Sequence, residues 1–176
     1  MRRLFDLDAD PCAVAERLGT DPVLAPLIAA RPGLRAPGAA DPHELAVRAV
    51  LGRRELGDAL VAAYGERLTE PSGGLTHLFP RVEDLAEAEP GELRTLSAAL
   101  ADGSVVLDPG ADRDEAERQL LALPGIGQRT AGYIRMRALG DPDVLLAGEA
   151  TMGDAEAWRP WRSYAMHHLW AMACDS

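Results

Sequence analysis

Apolar residues recur at helical spacing along most of the chain. Leu45, Val47, Val50 and Leu51 mark the apolar side of one helix, which Asp41-Pro42 opens and Gly52 interrupts. Leu56, Leu60 and Ala63 do the same within "ELGDALVAAYGERL" (55–68), which reads as its continuation. Asp10 or Pro11 opens a short helix to Leu18. Gly19-Thr20-Asp21-Pro22 then stops and restarts the chain, with Asp21 as cap and Pro22 at the first helical position. That helix ends near Arg31-Pro32-Gly33, and "RPGLRAPGAADP" (31–42) is a loop. Further helices are predicted over 82–88, 90–100, 112–123, from the turn after Leu123 to Leu139, and from Pro160 onward. "TEPSGG" (69–74) and "DPGAD" (108–112) read as loops, and 140–157 as irregular. "RRLFDL" (2–7) is the one strand-like piece, with no partner strand in the pattern. The fold class is all-α.

The last helix carries a second pattern. Trp161, Tyr164, Ala165, His168 and Met172 share one face, expected to be core, whereas Trp170 lies nine residues from Trp161 and points to the opposite side. His167 and His168 are adjacent, so their side chains diverge by about 100° and cannot chelate one ion together. Both read as structural.

Composition narrows the picture. The chain has 176 residues, 47% of them apolar, enough for one domain with its own core. No apolar run is long enough to cross a bilayer, and "MRRLFDLDAD" does not read as a signal peptide. Cys12 and Cys174 have no metal-ligand or disulfide spacing, which fits a reducing cytoplasm. Lysine is absent and all 18 basic residues are Arg, so a lysine Schiff base and the lysine of a phosphate-binding P-loop are excluded. The formal net charge of −10 argues against a general polyanion binder. Positive charge is concentrated locally, however. Residues 118–140 hold four Arg and no acid, and 158–172 hold two Arg, two His and no acid.

The basic stretch contains "LPGIGQRTAGYIRMRAL" (123–139), a Pro-Gly-x-Gly turn between two helices. Its glycines let the backbone approach a ligand closely. The helix after Gly127 opens with unpaired N–H groups and a positive dipole end, which together can hold a phosphate oxygen. Arg129, Arg135 and Arg137 could support it. The other reading is an ordinary helix–helix turn with Ile126 plugging the core.

"LPGIGQRTAGYIRMRALGDPDVLLAGE" resembles the helix-hairpin-helix segment of DNA glycosylases, most closely the DNA-3-methyladenine glycosylase II family. "RLFDLDADP", "ARPGLRAPGAADPHELAVRAVLG", "YGERL", "LFPRVEDLAEAEPGEL" and "EAWRPWRSYAMHHLW" are similar to that family in the same order. The resemblance implies a reduced, two-lobed helical domain over 10–176, with its hairpin at 112–139. It also implies a remnant strand or linker at 1–9, where "RLFDL" looks like the last strand of an N-terminal domain.

The implied function is monofunctional release of alkylated purines from duplex DNA by a monomeric, cytoplasmic, nucleoid-associated base-excision repair enzyme, with no membrane partner. Glu149 falls where the family has its charge-stabilising Asp, one methylene longer; its other reading is an exposed loop residue. Trp170 and Tyr133 match residues that face the base; the other reading of both is plain packing. Gly125, Ile126, Gly127 and Thr130 match DNA-contacting positions, and the carbonyls of Leu121, Leu123 and Ile126 match those that can hold a monovalent cation. No other cofactor is implied.

Four departures stand out. Arg129 replaces an aromatic and, four residues from Tyr133, could stack on it. "LGRRELGDAL" (51–60) is shortened where the family inserts a side chain into the gap left by the flipped base, leaving Arg53 and Arg54 at its edge. "ELRTLSAAL" (92–100) and "GEATMGDAEAWRPW" (148–161) are shortened as well. A non-catalytic or degenerate helix-hairpin-helix DNA-binding module is the alternative these departures raise.

Overall fold

The computed structural model describes residues 1–148 and 155–174. Among them are eight α-helices and one two-stranded sheet: α1 (Pro11–Leu18), α2 (Leu24–Ala30), α3 (Pro42–Leu51), α4 (Arg54–Tyr64), β1 (Arg67–Ser72), β2 (Leu75–His77), α5 (Gly91–Ala101), α6 (Arg113–Ala122), α7 (Gln128–Ala138) and α8 (Arg162–Cys174). No described helix is long and apolar enough to cross a membrane.

Aspartates start the helices as the sequence predicts. Asp10 accepts from the Cys12 and Ala13 amides at 2.8 and 3.3 Å, and Asp41 from His43 and Glu44 at 2.8 and 3.2 Å. A proline follows each, where its missing N–H costs nothing. Asp112 caps α6 through Asp114 and Glu115 at 2.9 and 3.1 Å. Asp21 accepts from Val23 and Leu24 at 2.8 and 3.2 Å, the cap the sequence predicts, one turn ahead of the regular helix that starts at Leu24. Its second oxygen accepts from Trp158 Nε1 at 2.8 Å, with both groups buried.

Three expectations are corrected. Helix α4 stops at Tyr64, and residues 67–77 form an antiparallel hairpin around Gly73-Gly74, with Arg67 opposite His77 and Ser72 opposite Leu75. Gly73 has φ 58°, which suits a tight hairpin turn. Residues 82–88 hold one 3-10 turn, Val82–Leu85. The segment at 1–9 is not a strand. It is a series of turns fixed by side chains: Arg35 donates to the Asp6 and Ala9 carbonyls at 2.6 and 3.0 Å, and the Asp6 carboxylate accepts from Tyr164 Oη at 2.7 Å and the Ala36 amide at 3.1 Å. These bonds take the place of a ladder and hold Asp6 at φ 51°.

The core has two parts. Leu96, Leu120, Ile126 and Ile134 centre one lobe, joined through α3 to a cluster of Val47, Leu60, Leu85 and Leu93. Val14, Leu18, Leu24, Trp158 and Met166 centre the other. Helix α7 serves both. Ala131, Ile134 and Ala138 face the first, and Met136 with Tyr133 faces the second.

Candidate functional site

The hairpin forms as α6 runs out. The Leu123 amide closes on the Leu120 carbonyl at 3.1 Å, and the Ile126 amide on the Leu123 carbonyl at 3.2 Å. Gly125 turns the chain at φ 84°, and Ile126, 6% exposed, enters the core. The core-plug reading of Ile126 therefore holds alongside whatever the turn binds. A Cβ on Gly125 would overlap the Glu92 side chain, whereas one on Gly127 would meet nothing. Helix α7 then starts at Gln128 with no side chain capping its first amides. Leu121 and Leu123 lie in and just beyond the last turn of α6, where carbonyls leave the helical ladder.

Beside the hairpin, a cleft of about 910 Å³ opens between the lobes. Helix α7 supplies Arg129, Thr130, Tyr133 and Arg137 to its wall, and α8 supplies His167 and Trp170. Arg48 from α3, with Arg53 and Arg54 at the start of α4, forms the opposite side. Tyr133 and Trp170 meet at 6.3 Å between ring centroids, tilted by 50°. The structure thus brings together Trp170, Tyr133, Arg129, Thr130, Arg53 and Arg54. Glu149 lies outside the described residues.

The arginines divide differently from expectation. Arg129 donates to the Ala147 carbonyl at 3.2 Å. Arg137 takes the place over Tyr133, 5.8 Å from the ring centroid, with Nη1 3.2 Å from the Tyr133 hydroxyl and Nε donating to the Pro37 carbonyl at 2.7 Å. Arg135 is not available to a phosphate in the cleft. It pairs with Asp114, Glu117 and Asp141 at 2.7, 2.7 and 2.6 Å. Met172, expected in the core, is 36% exposed.

The loop that leads to Glu149 is anchored along its described length. Arg162 clasps the Asp143 carboxylate at 2.7 and 3.0 Å, and Arg159 adds a bond at 3.0 Å. Ser163 Oγ donates to the Asp141 carbonyl at 2.6 Å and accepts from the Val144 amide at 3.0 Å. Gly132 lets α7 lie close to this loop, since a Cβ there would stand 3.2 Å from Leu146 Cδ2.

The histidines split. His168 is buried and bonded to the Leu27 backbone, as a structural residue should be. His167 lines the cleft instead, 5.0 Å from Trp170 and nearly perpendicular to it. Burial, Arg137 and His168 together push its pKa down to about 4, so it is neutral near pH 7. Its position three residues before Trp170 was the signal in the sequence.

A family model described as the AlkA N-terminal domain matches residues 1–41. The chain is 45% identical over 203 aligned positions to a probable bifunctional transcriptional activator/DNA repair enzyme AlkA of Mycobacterium tuberculosis, covering 96% of this chain and 41% of that protein. It is 34% identical to DNA-3-methyladenine glycosylase 2 of Escherichia coli, covering 97% of this chain and 69% of the relative. The chain therefore spans about two fifths of the length of the mycobacterial relative. Among solved structures, the 8-oxoguanine glycosylase/lyase of Clostridium acetobutylicum, in complex with double-stranded DNA, superposes with a TM-score of 0.77 at 17% identity. That match covers 99% of this chain and 73% of the other, and gives the fold.

Proposed function

The chain belongs to the DNA-3-methyladenine glycosylase II family, and on that premise we propose that it binds duplex DNA and releases alkylated purines of the 3-methyladenine type by a monofunctional N-glycosylase reaction. The observation that carries this reading is the meeting of Tyr133 and Trp170 in a cleft whose wall, α7, begins at the hairpin. One helix thereby joins a phosphate-holding end to a base-holding face.

The hairpin's backbone amides would hold a phosphate, with Thr130 nearby. Gly127 needs no glycine for its own conformation or for space within the chain, so its small size favours close approach of something from outside. Arg53 and Arg54 would meet the strand on the far side of the cleft. An alkylated purine already carries positive charge, stacks well on aromatic faces and leaves without much acid assistance. As its bond to C1′ breaks, the electron pair departs with the base and positive charge develops on the sugar. The Glu149 carboxylate would stabilise that charge, and water would add at C1′ with loss of a proton. No lysine exists to form the Schiff base of a lyase step. The Leu121, Leu123 and Ile126 carbonyls are neutral oxygen donors of the kind an alkali cation takes, and would hold one there. Such a cation supplies positive charge near the bound phosphate.

One observation favours a second reading, a DNA-binding module without chemistry. Arg137 lies over the Tyr133 ring that a cationic base would use. Single-turnover base release from methylated duplex DNA, comparing the chain with Glu149→Gln, separates the two. Release that disappears in the variant supports excision with Glu149 as the carboxylate. Equal release in both removes Glu149 from the chemistry. No release by folded protein that still binds duplex DNA selects the module.

A further inference from the structure

His167 is a polar side chain on a wall that packing alone would leave apolar. Its neighbours on α8, Tyr164, Ala165, Met166 and Leu169, are all buried in the second lobe. His167 lines the cleft instead, edge-on to Trp170. Its Nε2 is buried and makes no hydrogen bond, and no described residue bonds to the ring. A buried ring nitrogen without a partner is unfavourable in the free protein. The ring also lines the aromatic-walled cleft, where a ligand with a polar edge that draws the ring toward it would supply a bond the free protein lacks.

We infer that His167 is a specificity-determining residue, whose imidazole hydrogen-bonds to the edge of the extruded purine while Tyr133 and Trp170 hold its face. The inference rests on the reading of this cleft as a base pocket. The chemistry of the ring suits the task. In its neutral form imidazole offers one donor and one acceptor, so it can meet either a ring nitrogen or an exocyclic group. It also adds no further positive charge to a cleft that Arg48, Arg53, Arg54, Arg129 and Arg137 already line. A hydrogen-bonding wall discriminates strongly against a ligand that lacks the matching group, because the site's own polar atom is then left unpaired.

The test measures binding, separately from base release. Three duplexes are compared: one with a hypoxanthine nucleotide made uncleavable by a 2′-fluorine, one with the apolar purine isostere 4-methylindole, and one with a tetrahydrofuran abasic site. The chain should bind the hypoxanthine duplex about tenfold or more tightly than the methylindole one. His167→Leu should bring that ratio close to one while leaving abasic affinity within about twofold, and His167→Gln should recover part of it. An unchanged ratio in His167→Leu, or an equal loss on all three duplexes, would overturn the inference. So would a wild-type chain that does not distinguish purine from isostere. A chain that shows the preference yet releases no base from methylated DNA would overturn the excision reading alone.

Discussion

Arg129 reaches from the first turn of α7 to the carbonyl of Ala147, at 3.2 Å, and so fastens the loop two residues ahead of Glu149. The arginine that the resemblance sets against an aromatic is thereby engaged with the loop that leads to the proposed catalytic carboxylate. Arg129→Ala should release that loop. We expect base release to slow by about 10- to 100-fold, the scale of a misplaced catalytic group, with abasic-duplex affinity changed less than about threefold. Equal losses in both measurements would make Arg129 a DNA contact instead.

Glu92 packs against Gly125 at the tip of the hairpin, so close that a Cβ there would collide with it. An exposed carboxylate beside the turn proposed to hold a phosphate would oppose DNA at short range. Glu92→Gln should tighten binding of undamaged duplex by roughly three- to tenfold at low salt, and the gain should shrink as salt screens it. Gly125→Ala should act oppositely, since it combines the collision with an unfavourable φ of 84°. A Glu92→Gln variant whose DNA affinity matches the wild type across a salt titration would place the phosphate elsewhere.

Asp21 caps α2 and accepts from the Trp158 indole, which is 1% exposed. Asp21→Ala removes a cap and leaves a buried N–H unpaired, a loss of about 2–4 kcal/mol by urea denaturation. Burial alone would raise the Asp21 pKa. The bonds from Trp158, Val23 and Leu24 outweigh it and hold the group below the usual carboxylate range. The stabilisation is therefore full above the unfolded value of about 3.9 and is lost as pH falls through the lower native one.

His167 gives the opposite kind of pH dependence. Its pKa is about 4 in the fold, set by burial, Arg137 and His168, against about 6.5 unfolded. At pH 7 the two states are nearly matched in charge. As pH falls from 6.5 toward 4 the unfolded chain takes up the proton first, and the native state loses up to about 3 kcal/mol. The thermal midpoint of His167→Gln relative to the wild type should therefore rise between pH 7 and pH 4.5. A constant difference would mean that the ring titrates normally in the fold.

Much of this was legible in the chain because the signals are local. Asp-Pro pairs at 10–11 and 41–42 mark helix starts through capping chemistry, and Gly125 with Gly127 marks the hairpin. What escaped depended on long-range partners. Residues 2–7 carry a strand-like pattern, but Arg35 and Tyr164 fix them as turns through Asp6. Residues 67–77 lack clear alternation, and the Gly73-Gly74 turn between Leu68-Thr69 and Leu75-Thr76 was the available sign of a hairpin. In the cleft, four-residue spacing put both Arg129 and Arg137 next to Tyr133. The Ala147 and Pro37 carbonyls, distant along the chain, bond to Arg129 and Arg137 respectively, and Arg137 is the one that covers the ring.

Helix α7 has no idle side. Within eleven residues it closes the hairpin, walls the cleft with Tyr133 and Arg137, and presents Ile134 and Met136 to separate cores. Each residue turns the helix by about 100°, so losing or gaining one residue before Tyr133 would rotate the aromatic toward a core and a core residue toward the cleft. The three segments that the resemblance reads as shortened all lie outside 128–138. Its length can drift where a segment only connects, but in α7 the reading frame of the helix is itself the design.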